Sequence, residues 1–206
     1  MAIFTACGSV GDSSSGSVPG DDPSADGASV MADSARIDTA ASSDQTTSVR
    51  SRADHLTPDG WGPLRIGMTR AEVVAAAGED AGPAAVGGPE PEVCDEFRPS
   101  RAPAGLLVMV EDGILTRISV SRNPGISTPE GLRAGAASSS VLPAYGARVD
   151  VLPHKCWDAP AKYITVWRST PSSGERRGIR YEIGPDDRVV RIHAGGPSIE
   201  YVEGCL

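Results

Sequence analysis

One internal duplication constrains this chain more than any other feature. Gly62 to Gly78 aligns without gaps on Glu130 to Gly146, with Leu64/Leu132, Arg65/Arg133, Gly67/Gly135, Val73/Val141, Ala76/Ala144 and Gly78/Gly146 identical. A second pair of matches follows: Gly105 to Val110 against Gly178 to Ile183, and Thr116 to Ile118 against Val190 to Ile192. Segments that share an apolar pattern bury it against a common core. The duplication therefore predicts an α+β fold of two degenerate repeats, each a short helix followed by antiparallel strands, packed as one domain. Repeat one spans 61–125 and repeat two 126–206.

Within the first copy, Thr69 and Glu72 have the S/T-x-x-E spacing of a capping box. Met68, Val73, Val74 and Ala77 supply an apolar stripe, and Gly78 is placed to end the helix in a left-handed conformation. So short a helix holds only against a sheet. The hairpin that follows, Leu106 to Val110 and Ile114 to Val120, turns at Asp112-Gly113, a pair that tolerates positive φ. Its counterpart joins Tyr181 to Ile183 with Arg188 to Ala194 through Gly184-Pro185-Asp186-Asp187. Further strands are expected at Val93 to Phe97, Tyr163 to Arg168 and Ile199 to Val202. The second helix should be shorter or distorted, because Ser138-Ser139-Ser140 has low helix propensity and Pro143 removes an interior N–H.

The duplication occupies only the later part of the chain. No aromatic residue lies between Phe4 and Trp61, and Ser, Asp, Gly, Ala and Thr dominate there. A stretch of that composition cannot bury enough apolar surface to offset its ordering entropy, so 8–57 is expected to be a disordered tether ahead of a domain at 58–206. The net charge of -8 argues against nucleic-acid binding, which needs a Lys/Arg-rich face. No apolar run approaches the ~20 residues of a membrane-crossing helix.

The opening Met1 to Ser9 resembles the end of a bacterial lipoprotein signal, with Ala6 before Cys7; residues 1–7 are read as the remnant of that signal. The resemblance implies lipidation at Cys7, attachment to a bacterial membrane through the lipid alone, and a location in the cell envelope facing the periplasm or exterior. A solvated tether after Cys7 fits an anchored domain. In an oxidising compartment the remaining cysteines, Cys94, Cys156 and Cys205, form one disulfide and leave one thiol. Cys94 with Cys205 is favoured because it ties the chain end to the strand entering the first repeat, and Cys156 with Cys205 is the alternative.

Gly67-Met68-Thr69-Arg70-Ala71-Glu72-Val73, closed by Gly78, resembles the helix motif of the β-lactamase inhibitor protein family and of BamE-like outer-membrane assembly lipoproteins. Both place such a segment before a small antiparallel sheet. The motif covers about a dozen residues per copy, so the resemblance speaks to fold more than function. The reading adopted for the domain is a monomeric, non-enzymatic binding module for a protein or cell-envelope component, with inhibition of a secreted or periplasmic enzyme as the alternative.

The repeated arginines, Arg65 with Arg133 and Arg117 with Arg191, are candidate anion forks, since a guanidinium offers planar bidentate donors. The bland reading is surface ion pairs of little energetic weight. Trp157 and Trp167 are candidate contact residues. His154, Cys156 and His193 invite a Cys/His catalytic or metal reading, but they match no local signature and make a poor zinc set. No catalytic residue, metal or cofactor is assigned, and His193 is expected to face outward from its strand.

Overall fold

The computed structural model describes residues 55–82, 87–122, 125–168 and 176–205. Cys7 and the 8–54 part of the expected tether lie outside them. A seven-stranded antiparallel sheet dominates, with a few short helices, giving a mixed α+β domain. In chain order the elements are β1 (Gly60–Trp61), β2 (Leu64–Arg65), α1 (Arg70–Ala77), β3 (Cys94–Phe97), β4 (Leu106–Glu111) and β5 (Ile114–Ser121). A 3-10 turn (Ser138–Ser140), α2 (Val141–Tyr145), β6 (Asp150–Pro153), β7 (Lys162–Arg168), β8 (Arg177–Ile183), β9 (Val189–Gly195) and a second 3-10 turn (Pro197–Glu200) follow. The strand order is β3-β4-β5-β9-β8-β7-β6, while β1 and β2 form a separate small hairpin.

Both helices lie on one face of the sheet. Val73 and Ala77 of α1 and Val141 and Tyr145 of α2 pack with Val108, Ile118, Val120, Ile164, Tyr181 and Ile192 in a single core. The α1 cap is the expected capping box: the Glu72 N–H donates to Thr69 Oγ1, and the Thr69 N–H donates to Glu72 Oε2. Gly78 has positive φ (94°), as expected, but its ψ of 166° is extended and not left-handed helical. The α2 segment is the shorter and more irregular of the two, five residues behind a 3-10 turn with no side-chain cap. The serine run and Pro143 account for this.

The loops entering the helices dock on the hairpins through matching bonds. Gly67 N–H donates to Leu115 O, and Leu115 N–H donates to Met68 O; Gly135 N–H donates to Val189 O, and Val189 N–H donates to Ala136 O. Likewise Arg70 N–H reaches Gly113 O, and Ser138 N–H reaches Asp187 O. Each hairpin carries a register shift, at Met109/Val110 in the first and Glu182/Ile183 in the second. At the centre of the sheet β5 pairs with β9, with Ser119 opposite His193, Ile118 opposite Ala194 and Val120 opposite Ile192.

Two sequence expectations are corrected. Ile199 to Val202 is not a strand: Pro197 lacks an N–H for a ladder, and the segment turns as a 3-10 helix across the sheet. The edge strand β6 was not foreseen, because all four of its residues are exposed and no buried alternation marks it. The disulfide joins Cys94 to Cys205, as expected, across a sequence separation of 111.

Candidate functional site

The helices cover one face of the sheet, and the other face collects the chemistry-bearing side chains. Strand alternation puts Tyr181 in the core and turns its neighbour Glu182 to this second face. Glu182 stands opposite Tyr163 of β7 and Arg191 of β9. Arg180 lies opposite His193, and His193 opposite Ser119, so one row of polar residues crosses three strands.

Glu182 is the hub. The loop after β6 brings His154 over it, with the imidazole stacked between Trp157 (4.3 Å) and Tyr163 (4.5 Å). His154 Nδ1 accepts the backbone N–H groups of Cys156 (3.0 Å) and Trp157 (3.2 Å). With Nδ1 occupied as an acceptor, Nε2 carries the proton and donates to Glu182 Oε1 at 3.1 Å. The other oxygen, Oε2, has Arg191 Nη1 at 3.6 Å and His193 Nε2 at 3.7 Å, both longer than direct hydrogen bonds. His193 Nδ1 is 2.8 Å from Ser119 Oγ.

Burial alone would raise the Glu182 carboxyl. Its neighbours His193, Arg191 and His154 outweigh that and hold it down at about 2. For His193 burial wins: despite Glu182 beside it, desolvation together with the charges of Arg117 and Arg191 lowers the imidazole to about 3, so it is neutral at physiological pH. Arg117, only 2% exposed, pairs with Glu96 and donates to the carbonyls of Ser198 (2.9 Å) and Tyr201 (3.3 Å). Arg180 lies 3.8 Å over the Tyr163 ring, a cation–π arrangement.

No family model, curated protein or solved structure matches the chain.

Ser119, His193 and Glu182 form a hydroxyl–imidazole–carboxylate series, but a nucleophile must meet its substrate. Ser119 is 3% exposed and His193 5%. The expectation that His193 faces outward is corrected: its face of the sheet is itself covered. The Cys/His reading fails chemically as well, since Cys156 is disulfide-bonded and supplies no thiolate. That bond also corrects the expected spare thiol, because no described cysteine is free. The two histidines do converge on one carboxylate. However, the His154 nitrogen that faces Glu182 carries a proton, which leaves no lone pair for a metal. Among the described residues no His/Cys/Asp/Glu group has metal-holding geometry.

The candidate contact residues separate into two sets. Arg191 and Trp157 belong to the Glu182 network, and Arg117 lies on the same face paired with Glu96. Trp167 sits on the same face at the end of β7, beneath the Arg176 guanidinium (4.1 Å to the ring centroid). Arg65 is spent locally, donating to Gly62 O (2.6 Å) and Leu64 O (2.8 Å) of its own hairpin. Arg133 is engaged by other groups and borders a shallow hollow formed by Glu130 to Ala136 and Ser140. Arg117 is no surface charge, and its buried pairing departs from the bland reading. Sequence reasoning missed Glu182, Glu96, Arg180 and Ser119. A carboxylate between Tyr181 and Ile183 in an alternating strand was the available signal.

Proposed function

We propose that this domain is a non-catalytic binding module of the bacterial cell envelope, built from two degenerate helix-and-hairpin repeats, that takes a partner protein along one edge of its sheet. The repeat reading is supported by the matching dock of each helix-entry loop on its hairpin, the paired register shifts, and the antiparallel meeting of β5 and β9. Ser119 and His193 hold the same position in the two repeats and face one another, as residues beside a local two-fold axis do. Export is supported by the Cys94–Cys205 bond and by the disulfide at Cys156, since such bonds persist in oxidising compartments.

The binding reading is carried by β6. This edge strand exposes both Val151 (48%) and Leu152 (50%), and Leu142 of α2 is 41% exposed. Apolar side chains on an open sheet edge form a surface for strand addition by another chain. A photo-crosslinking residue at Leu152, used in envelope extract, should trap a protein partner, and Val151→Lys should abolish the adduct. A purified chain that yields no Leu152-dependent adduct, or the same adducts with Val151→Lys, would falsify this reading.

The lipid anchor on Cys7 is part of the same proposal and has its own test. A thioether-linked lipid and a disulfide cannot share one sulfur, and Cys156 is disulfide-bonded. With Cys94 and Cys205 joined to each other, a lipidated Cys7 therefore requires Cys156 to pair with a thiol outside this chain. Mass spectrometry of the Cys7 peptide from an envelope preparation should find a lipid adduct; a Cys7–Cys156 crosslink there would end the anchor reading while leaving export intact.

A further inference from the structure

The geometry points to the C-terminal segment 196–205 as an internal ligand, held by the Cys94–Cys205 bond in a peptide-docking groove on the polar face of the sheet. The floor of that groove is one row across four strands: Trp167 opposite Gly178, Gly178 opposite Gly195, and Gly195 opposite Arg117. Two glycines in the row leave a trough between the tryptophan ring and the guanidinium. A Cβ at Gly178 would come within 2.7 Å of the Trp167 ring and 3.2 Å of Ile199 Cδ1, so the trough exists only because that side chain is absent.

Ile199 fills the trough and is fully buried. Around it the segment offers polar groups to two arginines that the rest of the fold leaves facing it. Arg117 Nη1 takes the carbonyls of Ser198 and Tyr201, and Arg180 Nη1 lies 3.8 Å from Glu200 Oε1. An aliphatic anchor with backbone carbonyls and a following carboxylate is the contact set of a bound peptide.

Two features describe how the segment meets the sheet. Gly196 N–H donates to Thr116 O, and the bonds of Ile199 N–H to Gly196 O and of Tyr201 N–H to Ser198 O are the i→i+3 bonds of the 3-10 turn itself. The fit is also incomplete, because Arg117 Nε and Ser198 Oγ are buried without a hydrogen-bond partner among the described residues. Native interiors satisfy nearly all such atoms. The segment is tied at both ends, by the main chain from Gly195 of β9 and by the Cys94–Cys205 bond. Cutting the disulfide leaves it held at one end only and opens the groove to peptides carrying an aliphatic residue followed by Asp or Glu.

The test uses the full chain with Cys94→Ser and Cys205→Ser, which spares the disulfide at Cys156, and a fluorescein-labelled peptide Gly-Pro-Ser-Ile-Glu-Tyr-Val read by anisotropy. The variant should bind saturably and at least about tenfold more tightly than the disulfide-bonded chain, whose segment is held in the groove at both ends. A peptide with Asp in place of Ile should lose binding. Equal binding to both proteins, or no binding to either, overturns the inference. If the double variant fails to fold, Ile199→Asp in the disulfide-bonded chain replaces it and should gain the same peptide binding. An Ile199→Asp chain that shows no gain, or that loses its cooperative melt, shows the segment to be integral to the fold and overturns the proposal. None of these readouts involves β6, so they stand or fall apart from the edge-binding reading.

Discussion

Lowering the pH from 7 to 5 should destabilise this protein through His193. In the unfolded chain its imidazole takes up a proton near pH 6.5, whereas in the fold burial lowers it to about 3. Between those values the unfolded state binds a proton that the folded state refuses, so stability is lost as pH falls. Each unit corresponds to about 1.36 kcal/mol, and the span from 6.5 to 5 gives a loss of about 2 kcal/mol. Glu182 acts lower down. Its folded carboxyl is held at about 2 against an ordinary 4.5, so its contribution is present above 4.5 and declines only below that. Asp59 and Asp187 are also lowered, by hydrogen bonds from Arg168 and from Ser138 respectively, and act in the same low range. Urea unfolding at pH 7 and pH 5 of the wild type and of His193→Asn isolates the contribution of this histidine. The variant loses packing at both pH values, but its pH 7 to 5 difference should be smaller by about 2 kcal/mol. Identical differences in the two proteins would refute a buried neutral His193.

Other outcomes follow from separate parts of the fold. Cys94→Ser opens a crosslink over a separation of 111 residues and should lower unfolding stability by about 4 kcal/mol in urea melts; a change under ~1 kcal/mol would place the stabilisation elsewhere. Thr69→Ala removes the acceptor for the Glu72 N–H and should cost about 1 kcal/mol by the same assay. Leu115→Ala empties a fully buried site and should cost roughly 2–5 kcal/mol. Burial pushes the Tyr181 hydroxyl up to about 12 and that of Tyr145 higher still. In an absorbance titration of the native protein, both should resist ionisation until the fold opens in alkali, and a Tyr181 that titrates with the exposed tyrosines would contradict the buried pair.

Sequence patterning located the hairpins, α1 and its capping box because each rests on local signals: a turn dipeptide, a spaced Thr/Glu pair and alternating side chains. The weakness of the second helix was equally visible in Ser138 to Ser140 and Pro143. What escaped was whatever depends on how the second face is covered. His193 alternates like a solvent-facing residue, yet it is buried. Nothing local announces that His154, from a loop 28 residues earlier in the chain, arrives over Glu182. The β6 strand escaped for the opposite reason, as it buries nothing. The Arg117/Arg191 pair was picked out by the duplication, but its burial and its partners Glu96 and Glu182 are long-range facts.

The two ends of the sheet are unlike. At β3 the outermost strand is flanked by Gly88, whose added Cβ would strike Cys94 O, and it is bonded to the chain terminus through Cys205. At β6 the strand is four residues long, stops at Pro153 and leaves Val151 and Leu152 in water. A sheet with one receptive margin can recruit a single additional strand, after which no template remains for the next. Crowding this protein should therefore yield pairs whose growth arrests there, and not the open-ended fibres that a sheet receptive at both margins would nucleate.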